Sequence, residues 1–478
     1  MKKKLLTLLL AGVMAFSVSA CTSNKKGADE TVTLTWYVNS NPLSDMSLVM
    51  EKVNEITEKK IGVKVDMKTI DHGAYEERMR LYMATDKEWD LCYSYDINFY
   101  LQAIRNGSYY DLTELYKKSE KLNDFIPQFA VDTALVDGKL YGVPNVQCYM
   151  FTYGMYLRKD IAERYGLDKI TKVSSADELE PYFDKMLVDY PDMYPVNNVF
   201  ENDLMQENYY RINNYASVPK NSKENKIVNF FETPEYEQLL QRGNRWYKKG
   251  YVRKDLIVAA ENMEADMKAG KYCATISSLS PGSLANYEAH YGREVVFIQC
   301  AEPVTSSDAI LNTITAVNAN TKYPEKAMAL LELVNTDKEL LNLMQFGIEG
   351  KHYEKVADNT IRFINREAYG IDAYKFANAL GGYLVEGQPE DYCEQVIKLN
   401  EESQKPPFLG FTVNTDDFKS SYAQCEAVRQ EYAANTLYAN DNYKIPYEKM
   451  KSRLKDAGVD EIISGIQTQL DEWWANNK

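Results

Sequence analysis

Histidine is scarce in this 478-residue chain, with three residues in all, and no His-Glu-x-x-His zinc spacing occurs. A Gly-x-Ser-x-Gly elbow, a P-loop and a Gly-x-Gly-x-x-Gly fingerprint are equally missing. The seven cysteines form no Cys-x-x-Cys pair, which excludes zinc knuckles and a dense disulfide framework. Asp96-Ile97-Asn98 begins like a calcium loop, but Tyr100 and Leu101 break the pattern of oxygen ligands and glycine. No metal and no cofactor are therefore expected. Basic residues are in deficit, 55 Lys and Arg against 70 Asp and Glu, and a formal charge of −15 is a poor match for nucleic acid. The ~20 consecutive apolar residues needed to span a bilayer are found nowhere.

What is present begins with MKKKLLTLLLAGVMAFSVSACTSNKKG. Three lysines precede a short apolar run and then small residues, the layout of a secretory signal. Val18-Ser19-Ala20-Cys21 resembles the lipobox of bacterial lipoproteins, which makes Cys21 the expected acylated N-terminus. Residues 1–20 are thus read as signal peptide. The polar stretch 21–30 is read as a flexible tether holding the protein on the extracellular face of the cell membrane.

Beyond the tether the hydrophobic period switches repeatedly between 2 and 3.6. TVTLTWYV is strand-like, and Met46, Val49, Met50, Val53 and Ile56 mark a helical face. GVKVDMKTI alternates, Tyr75, Met79, Tyr82 and Met83 follow at helical spacing, and DLCYSY is a third strand. This β-α-β-α-β order predicts an α/β lobe with a largely parallel sheet. Asp137-Gly138 predicts a hairpin turn, and a second α/β series begins near Met150. In that series Ser175-Ala176-Asp177-Glu178 reads as a capping box. Thr233-Pro234 opens a helix that Gly250 stops. ILNTITAVNA reads as a strand, and the tail as amphipathic helices around Lys405-Pro406-Pro407. The expected division is 31–148 with about 301–350 as lobe 1 and 149–300 with about 351–400 as lobe 2. Residues 401–478 form a C-terminal segment.

The lipobox, VDGKLYGVP, AGKYCATIS and YPEKAMALLELVNTDKELLNLMQFGIEGKHYEKV occur together here. In this order they resemble the family 1 extracellular solute-binding proteins of ABC importers. Pro407-Phe408-Leu409-Gly410-Phe411 and Gln469-Leu470-Asp471-Glu472-Trp473 are similar to the C-terminal domain of unknown function attached to Firmicute members. The resemblance implies a two-lobed, periplasmic-binding-protein-like type II α/β fold with a hinge and a ligand cleft. It also implies a carbohydrate ligand, ABC transporter permease partners, a monomer, and binding without catalysis. A secreted glycoside-active enzyme, which needs only two placed carboxylates, and a surface adhesin lipoprotein are the alternatives.

Thirty-seven tyrosines suit sugar recognition, because aromatic rings cover the C–H faces of a sugar while amides and carboxylates take its hydroxyls. Candidates are sought where strands end, since open α/β sheets bind ligands there. They are Trp36, Tyr37 and Asn39 on the first strand, each a contact or sheet core, and Ser94, Tyr95 and Asp96 ending the third, with Asp96 alternatively a helix cap. Tyr149 and Tyr153, where the chain crosses between lobes, line the cleft or stiffen the hinge. Ser278 lies in a hydroxyl-rich loop, with Tyr287 one or two turns beyond. The two glycines of Gly347–Tyr353 imply tight backbone geometry, with His352 a satisfied loop residue.

Overall fold

The computed structural model describes residues 31–85, 87–255, 263–439 and 442–476. The signal peptide, Cys21 and the tether lie outside the described residues.

The first lobe follows the predicted alternation. It opens with β1 (Val32–Asn39), α1 (Met46–Ile61), β2 (Val63–Ile70), α2 (His72–Met83), β3 (Leu91–Ser94) and α3 (Ile97–Arg105). A hairpin pairs Leu135–Val136 with Lys139–Leu140 through Asp137 and Gly138, both at positive φ as a tight hairpin turn requires. β4 (Gly142–Pro144) follows. The chain then crosses into the second lobe, with β5 (Met150–Arg158), β6 (Tyr194–Val196), α4 (Pro234–Lys249), β7 (Tyr272–Leu279) and β8 (Val295–Gln299). It crosses back to β9 (Ile314–Val317) and α5 (Pro324–Thr336).

One sheet has the order β2-β1-β3-β9-β4, with β1, β2 and β3 parallel and β9 antiparallel to both neighbours. The other has the order β8-β5-β7-β6. The capping box forms as predicted, although it opens a 3-10 turn at Ala176–Leu179 before the α-helix Glu180–Asp189. Gly250 closes α4 in the left-handed conformation at φ 82°. ILNTITAVNA is only partly strand, because Ile310 and Leu311 end a short helix whose N-cap is Ser306.

Each sheet builds its own apolar core. The first gathers Leu34, Trp36, Val53, Leu91 and Leu331, and the second Leu157, Phe183, Leu240, Trp246 and Ile298. Two parts of the expected division need correction. Tyr369, Ile371, Phe376 and Ala377 belong to the first core, where Phe376 meets Trp36 edge-on at 6.3 Å, so this stretch does not join lobe 2. Residues 401–478, read as a C-terminal segment outside both lobes, pack into lobe 2. Phe408, Phe418, Cys425, Ile466 and Leu470 share the second core, joined by α6 (Lys419–Glu431), α7 (Lys444–Asp456) and α8 (Val459–Asn476).

The lobes meet at a waist of three chain segments. The side chain of Asn400 accepts from the Tyr149 N–H at 2.8 Å and donates to the Gln147 carbonyl at 2.7 Å, clasping the first crossing. Gln404 pairs with the second crossing, donating to the Pro303 carbonyl and accepting from the Thr305 N–H. The described cysteines are all free, and no described helix is long and apolar enough to cross a membrane.

Candidate ligand-binding cleft

The ends of β1, β2, β3 and β4 and the start of β9 lie at one edge of the first sheet. The start of β5 lies beside the end of β7, at Thr152 to Gly154 and Ser277 to Leu279. Between the lobes beside the waist is a cavity of about 320 Å³. Asp96 and Asn98 line it from lobe 1, Arg211 and Asn213 from lobe 2, and Asp308 and Asn312 from the second crossing. A neighbouring cavity of about 160 Å³ shares Arg211, Ser306 and Pro406 with it, and adds Tyr153, Glu201, Tyr209, Tyr210 and Phe230. A third, of about 460 Å³, separates the Ser280–Ser283 loop of lobe 2 from Arg366, Asp372 and Tyr374.

Arg211 is the hinge-side cation. Its Nε donates to the Asn213 carbonyl at 3.1 Å and its Nη2 to Asn214 Oδ1 at 2.9 Å, over the Phe230 ring at 5.0 Å. Nearby carboxyls are held above their ordinary range. Burial raises Asp308, Asp96 adds to that, and Arg211 opposes it. Burial also raises Glu201, again opposed by Arg211. Both side chains are open to the cleft, yet protein surrounds them closely enough to thin their hydration.

Several buried polar atoms here have no partner. Asn213 Oδ1 accepts from the N–H groups of Tyr215 and Ala216, both at 2.9 Å, which fixes Nδ2 as a donor, and that Nδ2 is unsatisfied. Asn312 Oδ1 and Ser217 Oγ are also unsatisfied, one in each of the two adjoining cavities. Buried polar groups are nearly always paired, so unpartnered amide and hydroxyl atoms on residues lining these cavities mark the lining as polar and hydrogen-bond capable.

A buried ion cluster holds the lobe-2 wall. Arg242, 1 % exposed, donates to Asp203 at 2.6 Å, Asp177 at 2.8 Å, the Phe200 carbonyl at 2.9 Å and Ser175 Oγ at 2.9 Å. This fixes the segment that carries Glu201 and Asn202 into the cleft. Burial works against ionisation of Asp177, but Arg242 and Arg245 outweigh it and hold its carboxyl below the ordinary range.

The structure brings only some of the sequence candidates to these cavities. Asp96 lines the first while also accepting from the Phe99 N–H to cap α3, and Tyr153 lines the second. Trp36 and Tyr37 are core residues: β1 is central in a sheet buried on both faces, so alternation sends both side chains under neighbouring elements. Tyr149 is fully buried in the waist, its hydroxyl donating to the Asn145 carbonyl at 2.9 Å. Asn39 is buried at the strand end, 2.7 Å from His72 Nδ1, and the half-buried Tyr95 leans on that imidazole. Ser94 is buried. Tyr287 stacks on Tyr156 at 3.8 Å, and the Ser278 carbonyl accepts from the Tyr156 hydroxyl, so both serve lobe-2 packing. His352 is buried, accepting from the Ile348 N–H and bonded to Asp45 at 3.0 Å.

Sequence reasoning missed the stretch Tyr209 to Asn214. Its signal is aromatic, cationic and amide residues side by side in YYRINN. Tyr209–Arg211 form one strand of a short three-stranded sheet whose strands are too brief to show a period, and Ile212–Asn214 follow it as a loop.

Residues 51–348 match the family described as bacterial extracellular solute-binding protein. The chain belongs to that family. Residues 407–475 match a domain of unknown function. Over 97 % of both chains, the sequence is 27 % identical to a carbohydrate ABC transporter substrate-binding protein of Streptococcus pneumoniae serotype 4 (strain ATCC BAA-334 / TIGR4). Over 74 % of both, it is 24 % identical to the polygalacturonan/rhamnogalacturonan-binding protein YtcQ of Bacillus subtilis (strain 168). The N-glycan transport solute binding protein of S. pneumoniae has the same fold, with TM-score 0.81 at 23 % identity over 93 % of this chain and 100 % of that one. Its complexes with Man1GlcNAc and Man5GlcNAc give 0.69 and 0.65. Members of the family are binding components of transporters, so this protein is not an enzyme.

Proposed function

We propose that this protein captures a carbohydrate, an oligosaccharide, in the interlobe cleft and delivers it to the permeases of an ABC importer. Cys21 holds it to the outer face of the membrane through its acyl chains. The observation that carries the reading is a cavity lined from both lobes and a crossing by Asp96, Asn98, Arg211, Asn213, Asp308 and Asn312, adjoining one lined by the rings of Tyr153 and Tyr210. Ligand bridging both lobes favours the closed arrangement by its differential affinity.

A thermal-shift screen against neutral and acidic oligosaccharides, followed by calorimetry and small-angle scattering, tests this. A hit raises the melting temperature and shrinks the radius of gyration. Arg211→Ala lowers the hit's affinity about tenfold or more, as loss of a cleft arginine does, and leaves melting in buffer unchanged. A protein that binds no member of the panel, or that turns a sugar over, refutes the reading.

A further inference from the structure

The domain of unknown function does not stand apart from the cleft. Phe408, Phe411, Thr412, Thr415 and Tyr422 line the 320 Å³ cavity together with Asp96 and Arg211. This wall is built rather than draped. At one end, Gln404 is paired to the second crossing. In the middle, the Gly410 N–H donates to Ser307 Oγ at 2.9 Å, with Gly410 at φ 95°. At the other end, the Asn414 N–H and carbonyl both bond the Gln469 amide at 2.8 Å, while Phe411 meets Trp473 at 6.1 Å. Tyr422 is set edge-on to Tyr215 at 5.2 Å, and its hydroxyl has no hydrogen-bond partner among the described residues. Burial raises its pKa, and Arg211 and Asp308 are among the charges it feels.

We propose that the segment from Pro406 to Tyr422 is the third wall of the cleft and supplies a subsite for one terminal, uncharged sugar unit of the bound oligosaccharide. This rests on the function proposed above. The cavity volume sits at the lower end of ligand pockets, enough for an end of a chain rather than its length. Its polar groups are mostly neutral: the Asn213 amide N–H, the Asn312 amide, two threonines and the Tyr422 phenol. Its charges are two carboxylates, Asp96 and Asp308, against one guanidinium already bonded to Asn213 and Asn214. A uronate placed there would face excess like charge.

The test measures calorimetric affinity for neutral mannose- and N-acetylglucosamine-containing oligosaccharides of two to six units, and for oligogalacturonates. Wild type, Tyr422→Phe and Thr412→Trp are compared. Tyr422→Phe keeps the ring on Tyr215 and should weaken neutral oligosaccharides about threefold or more, the worth of one hydrogen bond. Thr412→Trp fills the cavity and should weaken them at least tenfold once the chain is long enough to reach it, with no further loss for longer chains. Should Thr412→Trp fail to fold, Tyr422→Phe alone decides. Unchanged affinity in the folded variants, with wild type binding, overturns the third-wall subsite and leaves the transport function standing. Preference for oligogalacturonates overturns its uncharged character. No binding by wild type to any of these or to the wider panel overturns both proposals.

Discussion

The two lobes hold their cleft edges by different means. The first relies on a sheet covered on both sides by apolar groups, with Leu34 and Trp36 fully buried beneath helices. The second pins the segment bearing Glu201 by Arg242, Asp203 and Asp177, a cluster of charges in and beside its core. An apolar core fixes where a strand ends. A hydrogen-bonded ion cluster also fixes which way a loop faces, and loops carry most of the polar lining here.

That contrast can be broken experimentally. Arg242→Ala strands Asp203 without its partner and should cost about 3–5 kcal/mol, partly restored by adding Asp203→Asn. Leu34→Ala in lobe 1 should cost about 2–5 kcal/mol through a cavity, with no polar change able to restore it. Urea unfolding of the three variants checks both. Recovery by Asp203→Asn is the sharpest sign that charge, not volume, sets the second lobe. The acid limb should differ as well: the Asp177 contribution, present above the ordinary carboxylate pKa, is lost as pH falls.

A smaller effect belongs to a strained backbone position, Gly347. Gly347 sits at φ 79° and ψ −139°, and an added Cβ would lie 2.3 Å from His352 Nδ1. Gly347→Ala should cost on the order of 1–3 kcal/mol and expose His352 to exchange, seen by melting and by proton NMR.

The smallest effect is expected at Asp308. Its carboxyl titrates above 3.8 in the fold, so the stabilising neutral form is present below that value and lost as pH rises through the raised one. Asp308→Asn should therefore raise the melting temperature slightly at pH 7, with no gain below pH 3.8, while weakening sugar binding. Equal melting at both pH values would show that the cleft imposes no burden on this group.

Much of the scaffold was legible because period carries it. The alternation of Val63, Val65 and Met67 and the stripe Met46 to Ile56 yield β2 and α1 directly. A strand end led to Asp96 for the same reason, and the expected lobe crossing led to Tyr153. Period also misled at Tyr37: it reports which face a side chain takes, not whether a helix covers that face. The third wall was hidden for a different reason. Tyr422 and Asp96 line one cavity from distant parts of the chain, and neither shows a local sign of the other.

The clasp of Asn400 on Tyr149 spans 251 residues. The first sheet, likewise, waits for β9, and the second core for residues up to Leu470. A nascent chain therefore cannot complete the first half before Ala377 or the second before Leu470 has been made. Closing such long loops is entropically costly and slow. The second half thus stays open longest, and its core closes only on the last helix of the chain.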